Sequence, residues 1–470
     1  SGTFAFIRSL EDNHYIRTIS AKQIGDTWLN YIIENQTILW WGGLSRSTEH
    51  TAFLRLKSGI PAPQSGSMER NGRSMAEQIG AQIFIDGWAM VNPNDPAMAA
   101  RMAREAASVS HDGLAVEAAC YLAAMEAMAF SEKRLDHLLD EGLAYVRGNE
   151  LPALVHAVRE QCARAEDWKE VRAWIAKEHG YDRYPGNCPM ATNHLAVIMA
   201  LLMAGDDFHK SISIASSAGW DTDCNAGNVG CLNGIRLGLA GIDNGIDLRT
   251  AVADRLYVVT SDGGSCISDA VQEARKLIRG ANALHGLQMP VPRERFAFEF
   301  PGSTQGFRPY ASSDKAPALC RLENASSKGE RGLLIGYRQL GRGAEAAVAV
   351  ETFTDNQPKG KEGTSYFDVL ASPALYEGQT VCCEIMAPED APHLRFFVEY
   401  FDGDDRLQCY KSEAYALQPG ENSLRWEIPS LAGHMIYRLG LSLTSECRKD
   451  GELILRSLDW AGAPRRFSMG

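Results

Sequence analysis

The residues Gly219-Trp220-Asp221-Thr222-Asp223-Cys224 place two carboxylates and a hydroxyl at three consecutive positions. An oxygen-only cluster of this kind suits a hard cation such as Mg²⁺, which prefers carboxylate, hydroxyl and water oxygens to thiols. The same residues suit a helix N-terminus, where Asp side chains accept free N–H groups and favour the dipole. Spacing alone leaves both readings open. A helix needs only one cap, so the second Asp counts toward a site, and Gly219 gives the backbone freedom to aim both side chains one way. Two carboxylates from one segment do not fill an octahedral shell. Other parts of the chain must complete it.

Further chemistry-bearing residues fall in four places. The stretch from Trp40 to His50 is a Gly-bearing loop in which Trp40 or Trp41 would stack on a ring and Arg46 would meet a polar group, with Glu49 a candidate catalytic carboxylate. An ordinary polar loop leading into a helix at Thr48 is the plainer alternative. Glu77 and Asp86 lie in an apolar stretch read as one helix from Met75 to Trp88. A charge buried in a bundle is costly unless paired, so each is either exposed or part of a site, Asp86 as a catalytic carboxylate and Glu77 as a substrate contact. His111-Asp112-Gly113 joins two predicted helices: His111 would transfer a proton and Asp112 would contact substrate, or the segment is a helix cap. Asn193 and Trp220 complete the candidate substrate contacts, with a helix cap the alternative for Asn193. Asp254 and Asp262-Gly263-Gly264 are explained by turn chemistry.

The elements that must position these residues change character along the chain. With 470 residues the chain exceeds the size of a single core, so at least two domains are expected. Up to about residue 285 the apolar spacing is helical and alanine-rich, as in Leu114 to Phe130. Gly227, Gly230, Gly234 and Gly238 fall on about one face of a helix after Asp223, where a neighbouring helix would approach closely. From about Arg295 the period is two, with Leu424, Trp426 and Ile428 alternating with polar residues, and many short strands predict an antiparallel, jelly-roll-like β-sandwich. Strands are predicted at Arg295–Phe300 and Ser365–Leu370, among others. The Pro-bearing stretch 288–292 is the expected linker, giving domains at 1–287 and 294–470. The aromatic-rich run "LRFFVEYFDGDDRLQCY" suits either a sugar-binding face or core packing.

A net charge of −12 without Lys/Arg clusters argues against nucleic-acid binding, and no apolar run is long enough to span a bilayer. Eleven cysteines without a C-x-x-C pair point to free thiols in a reducing, cytoplasmic setting.

"DTDCNAGNVGCLNGIRLG" resembles the late metal-binding signature of the ADP-ribosylglycohydrolase family, bacterial branch. The resemblance spans roughly residues 5 to 280 and includes "SGSMERNGRSMAEQIGAQIFIDGWAMVNPNDP", the Ser110-His111-Asp112-Gly113 element and "NCPMATNHLAVIMALLMAGDD". It implies an all-α domain with a magnesium centre that positions a ribosyl group for hydrolysis of its glycosidic bond, with Asp221 and Asp223 as metal ligands. The family position after the second Asp commonly carries a hydroxyl. Here it is Cys224, so Asn225, Thr222 or water would supply that oxygen. The family's first acidic pair would stand at or before Ser1 and Gly2, and the expectation is that the chain lacks that segment. The expected activity is magnesium-dependent hydrolysis of a ribosyl or related furanosyl bond in a small-molecule or glycan substrate. A binding protein that keeps the pocket without hydrolysis is the alternative.

Overall fold

The computed structural model describes residues 2–35, 37, 41–252, 254–257, 265–311, 315–324, 331–353, 372–404 and 406–465, with side chains from residue 7 onward. Trp40, Asp262-Gly263-Gly264 and the strand predicted at Ser365–Leu370 lie outside the described residues. Two compact units form: Ser1–Asp247 with Lys276–Met289, and Leu248–Arg275 with Pro290–Gly470.

The first unit is helical, and its helix starts are written locally. Ser20 and Gln23 make a reciprocal capping box on the helix Ala21–Tyr31, Ser47 caps Thr48–Lys57, and Asp95 followed by Pro96 opens Pro96–Ala107. Two helices, Leu114–Met128 and Met190–Ala204, form the middle of the core and are buried on nearly every side. Alanine at positions such as 115, 118, 119 and 123 lets neighbours approach closely, and a helix apolar all round has no solvent face. No helix among the described residues is long and apolar enough to cross a membrane. No disulfide forms among the described residues.

Two helical expectations are corrected. The stretch Met75 to Trp88 is not one helix but three short ones, Arg73–Ala76, Gly80–Ile83 and Asp86–Met90. Between the first two, the chain pairs with another segment: Ile79 N donates to Cys188 O (3.0 Å) and Met190 N to Glu77 O (3.0 Å). Those bonds use the groups a continuous helix would need, so Glu77 and Asp86 no longer share one helix. The second correction concerns Thr222–Ile242, which follows the Asp pair and kinks at Gly238 (φ +65°). Its inward stripe is Asn225, Asn228, Val229, Leu232, Asn233 and Arg236, not the glycines. A Cβ at Gly227 or Gly238 would meet nothing within 4 Å, and of the four glycines Gly230 alone meets a neighbouring helix, 3.2 Å from Ile212 Cδ1. This helix is fixed by polar contacts, as where Arg236 reaches Lys133 O (2.9 Å) and Gly205 O (2.9 Å).

The second unit packs two sheets over a shared apolar core. One sheet has the central order Leu407–Lys411, His393–Phe401, Ile436–Thr444, Ala344–Glu351, Arg308–Tyr310; the other runs Gly420–Glu427, Thr380–Ala387, Lys449–Ala461, Leu333–Leu340, Leu319–Asn324. The pairing is antiparallel except where Ala316–Pro317 meets Ala344–Glu345. Alternation delivers Ile335, Val348, Ile385, Phe396, Val398, Leu441 and Leu455 to the common core. Phe397, on the opposite face, is also buried and stacks on Tyr310 at 5.6 Å. The strand expected at Arg295–Phe300 shrinks to one bridge, Phe296 to Leu458. The physical reason is local: Phe298 is left-handed (φ +52°), and Gln305 Oε1 takes the N–H groups of Ala297 (3.2 Å) and Phe298 (3.0 Å) that a ladder would use.

Candidate functional site

Gly219 (φ +86°) and Trp220 (φ +65°) are consecutive left-handed residues just before the helix Thr222–Ile242. Such a conformation is costly for Trp, so the surroundings must hold it. They do: Arg172 Nε donates to Ala218 O (2.9 Å), its guanidinium lies 4.7 Å from the Trp220 ring, and Tyr181 stacks on that ring at 6.5 Å. Behind the turn, Asn193 Oδ1 accepts from Asp221 N (3.1 Å) and from Asn225 Nδ2 (3.0 Å), and Asn193 Nδ2 donates to the Tyr181 hydroxyl (2.9 Å).

This framework decides what the Asp side chains do. Asp221 occupies the N-cap position, yet its carboxylate takes no N–H of the helix. Instead, one ligand atom each of Asp221, Asp223 and Cys224 lie within 4.8 Å of one another. Burial first, and then the neighbouring Asp223, push the Asp221 carboxyl above its ordinary range. Two carboxylates kept together without a cation repel, and a divalent ion relieves that repulsion. The donor set fits a hard cation. Beside the pair, Asn225 Oδ1 is buried with no hydrogen-bond partner, an oxygen of the right class. Burial and the two Asp charges keep the Cys224 thiol protonated, and a neutral thiol is a poor ligand for such an ion.

Glu49 reaches the same region from the first turn of Thr48–Lys57. It is buried, and desolvation raises its carboxyl to about 7, with the Asp221 charge adding to the rise. Cys188, brought in by the pairing with Ile79, feels both carboxylates. His111 Nε2 lies 3.8 Å from Glu49 Oε1, is buried, and has no hydrogen-bond partner, while Nδ1 contacts Ser110 Oγ at 2.7 Å. Burial lowers the His111 pKa to about 3, so the ring is neutral at physiological pH. Gly80 makes the meeting possible. A Cβ there would overlap Glu49 Oε1 and stand 2.9 Å from the His111 ring. Gly80→Ala is expected to displace the carboxylate, lowering kcat about 10²-fold, with a stability loss of about 1–3 kcal/mol from overpacking. Unfolding and rate measurements on one preparation check this; an unchanged rate would show that Glu49 position does not matter.

A second glycine holds His111 from below. A Cβ at Gly66 would lie 2.5 Å from Ser110 C and 2.6 Å from His111 N, both backbone atoms that cannot swing away. Urea unfolding of Gly66→Ala is expected to show a loss of about 1–3 kcal/mol. A loss near zero would mean that the His111 loop yields.

The structure thus brings together Glu49, His111, Asn193, Trp220, Asp221 and Asp223. The other candidates make contacts of their own. Trp41 donates to Thr37 O (2.6 Å) and packs edge-on against His50 and Phe53. Arg46 is exposed, and its carbonyl accepts from Asn187 Nδ2 (2.7 Å). Glu77 accepts from Leu114 N (3.0 Å) and pairs with Arg73 (2.6 Å), while Asp112 accepts from Met68 N (3.0 Å) and Gly113 N (2.7 Å). Both acids anchor turns at the edge of a separate cavity of about 740 Å³, lined also by Arg104, Glu117 and Arg147. Asp86 faces Glu126 and Cys231. Sequence reasoning did not single out Tyr181, Cys188 or Gly80, whose roles depend on contacts far along the chain.

Residues 2–281 match the description of the ADP-ribosylglycohydrolase family. The chain belongs to that family, a class that supports a glycosyl-hydrolase-like function. Comparison with curated proteins finds no match. Among solved structures the chain is similar to a carbohydrate-binding module of the β-sandwich superfamily, with 16% identity over 36% of this chain and 62% of that one and a TM-score of 0.26. It is also similar to the family 11 carbohydrate-binding module of Clostridium thermocellum (11% identity, 36% and 95% coverage, TM-score 0.22). A xylan-binding domain from Paenibacillus barcinonensis shows 16% identity, 35% and 90% coverage and a TM-score of 0.24. The architecture is a helical ADP-ribosylglycohydrolase region followed by a unit of largely antiparallel sheets.

Proposed function

We propose that this chain hydrolyses a ribosyl or related furanosyl glycosidic bond in a magnesium-dependent reaction. The observation that carries the proposal is Asp221: it stands at the helix cap, makes no cap bond, and instead faces Asp223. Asp221 and Asp223 would hold Mg²⁺, with Asn225 Oδ1 as a further oxygen donor. When bound, the ion supplies charge that orients and polarises the sugar hydroxyls.

The chain's own residues do the rest. Glu49, with its carboxyl near 7, exists in both protonation states around neutral pH and serves as the acid–base group, taking a proton from water at a carboxylate oxygen. Neutral His111 stands beside Glu49 across Gly80, where the two leave no room for another side chain. The Trp220–Tyr181 stack offers a flat apolar surface beside the carboxylates for a sugar or base ring. The substrate carries that furanosyl group on a protein, a small molecule or a glycan. ADP-ribosylated protein, ribosides and arabinofuranosides, each offered with Mg²⁺ and with chelator, test the reading. Metal-dependent release of sugar from at least one is expected, and release that is indifferent to chelator would contradict it.

A further inference from the structure

Asp86, Glu126 and Cys231 form a separate cluster deep in the helical unit. One ligand atom of each lies within 4.8 Å of the others, and each comes from a different helix: Asp86–Met90, Leu114–Met128 and Thr222–Ile242. Glu126 is 0% exposed, and neither of its carboxylate oxygens has a hydrogen-bond partner outside the cluster. A fully buried carboxylate with no fixed donor is costly, and here a second carboxyl faces it. The rest of the surroundings is ordered as a supporting shell. Asn228 Nδ2 donates to Asp86 Oδ1 (3.0 Å), Gln82 Nε2 donates to Asn228 Oδ1 (3.0 Å), and His194 Nδ1 contacts Gln82 Oε1 (2.6 Å). That chain fixes one oxygen of Asp86 and leaves the other for the cluster.

We propose that Asp86, Glu126 and Cys231 bind a borderline divalent cation of the zinc type, as a centre distinct from the Asp221 pair. Two carboxylate oxygens and one sulfur are a mixed donor set that favours Zn²⁺ over Mg²⁺, and metal binding deprotonates a thiol outright. A tetrahedral zinc ion spaces such ligand atoms about 3.5 Å apart, compatible with the cluster's dimensions. Asp86 and Cys231 are of intermediate burial, and Glu126 is fully buried. Cys231 lies ten residues beyond Asp221, roughly 15 Å along the helix at 1.5 Å per residue, so one ion cannot serve both groups. The bound ion cross-braces three helices at the centre of the unit.

Cobalt(II) titration of the full chain, after chelator treatment and dialysis, tests this proposal without reference to hydrolysis. A thiolate-to-cobalt charge-transfer band is expected, saturating at one ion per chain and displaced by Zn²⁺. Cys231→Ser is expected to abolish the band and Glu126→Gln to weaken cobalt affinity at least tenfold. Cys224→Ser and the paired variant Asp221→Asn with Asp223→Asn are expected to retain it. No band in the wild-type chain, a band that survives Cys231→Ser, or one lost in Cys224→Ser would each overturn the proposal. Because the wild-type spectrum is itself decisive, a misfolded variant does not shield the idea.

Discussion

Replacing Asp221 and Asp223 together by Asn is expected to lower kcat/KM about 10³-fold, since metal charge stabilisation is worth several kcal/mol and each 1.36 kcal/mol is tenfold. The fold should tolerate the change. Neither carboxylate caps the helix, and the turn is held from outside by Asn193, Arg172 and Tyr181. Asn keeps the shape and removes the charge, so stability without metal should hold or rise as the repulsion that lifts the Asp221 carboxyl disappears. Rate measurements paired with thermal unfolding in chelator check both halves. A large stability loss in chelator would mean that the carboxylates serve the fold instead.

Glu49→Gln is expected to lower kcat by about 10²- to 10⁴-fold with little change in KM, the usual range for a lost acid–base group. The wild-type rate should rise with pH through about 7 as Glu49 ionises, and this rise should vanish in the variant. The stability sign is opposite. A carboxyl whose folded pKa is raised from 4.5 to about 7 contributes stability that is fully present below 4.5 and lost as pH rises through 7. The amide never charges, so at pH 8 the variant should unfold no more easily than wild type. A merely structural Glu49 would show the reverse: intact pH dependence of rate and reduced stability.

How much of this was legible in the sequence depends on the range of the interactions. The change from helical to two-residue periodicity near residue 295 reports local patterning, and it locates the two architectures. Helices such as Ala21–Tyr31 and Pro96–Ala107 carry local start signals, Ser20 with Gln23 and Asp95 with Pro96, within one turn. Met75 to Trp88 looked helical because its apolar spacing is, but Cys188 and Met190, more than a hundred residues away, take its backbone bonds. The glycine stripe after Asp223 looked like a packing face because small residues often are. Its helix instead turns Asn225, Asn228 and Asn233 inward, and their partners Asn193, Asp86 and Ser211 come from distant segments. Asp86 stood out as a charge in an apolar run. Its partner Glu126 carried a similar signal, one of two acids with Glu117 inside "LAVEAACYLAAMEAM", and a systematic search for acids in apolar helices would have listed it.

The most direct test of the magnesium centre is calorimetric titration of Mg²⁺ into the chelator-treated chain, alongside the Asp221→Asn, Asp223→Asn variant. Saturable binding to the wild-type chain, lost in the variant and retained in Cys231→Ser, is the predicted result. Binding of equal strength in the wild-type chain and the Asp221→Asn, Asp223→Asn variant would contradict it.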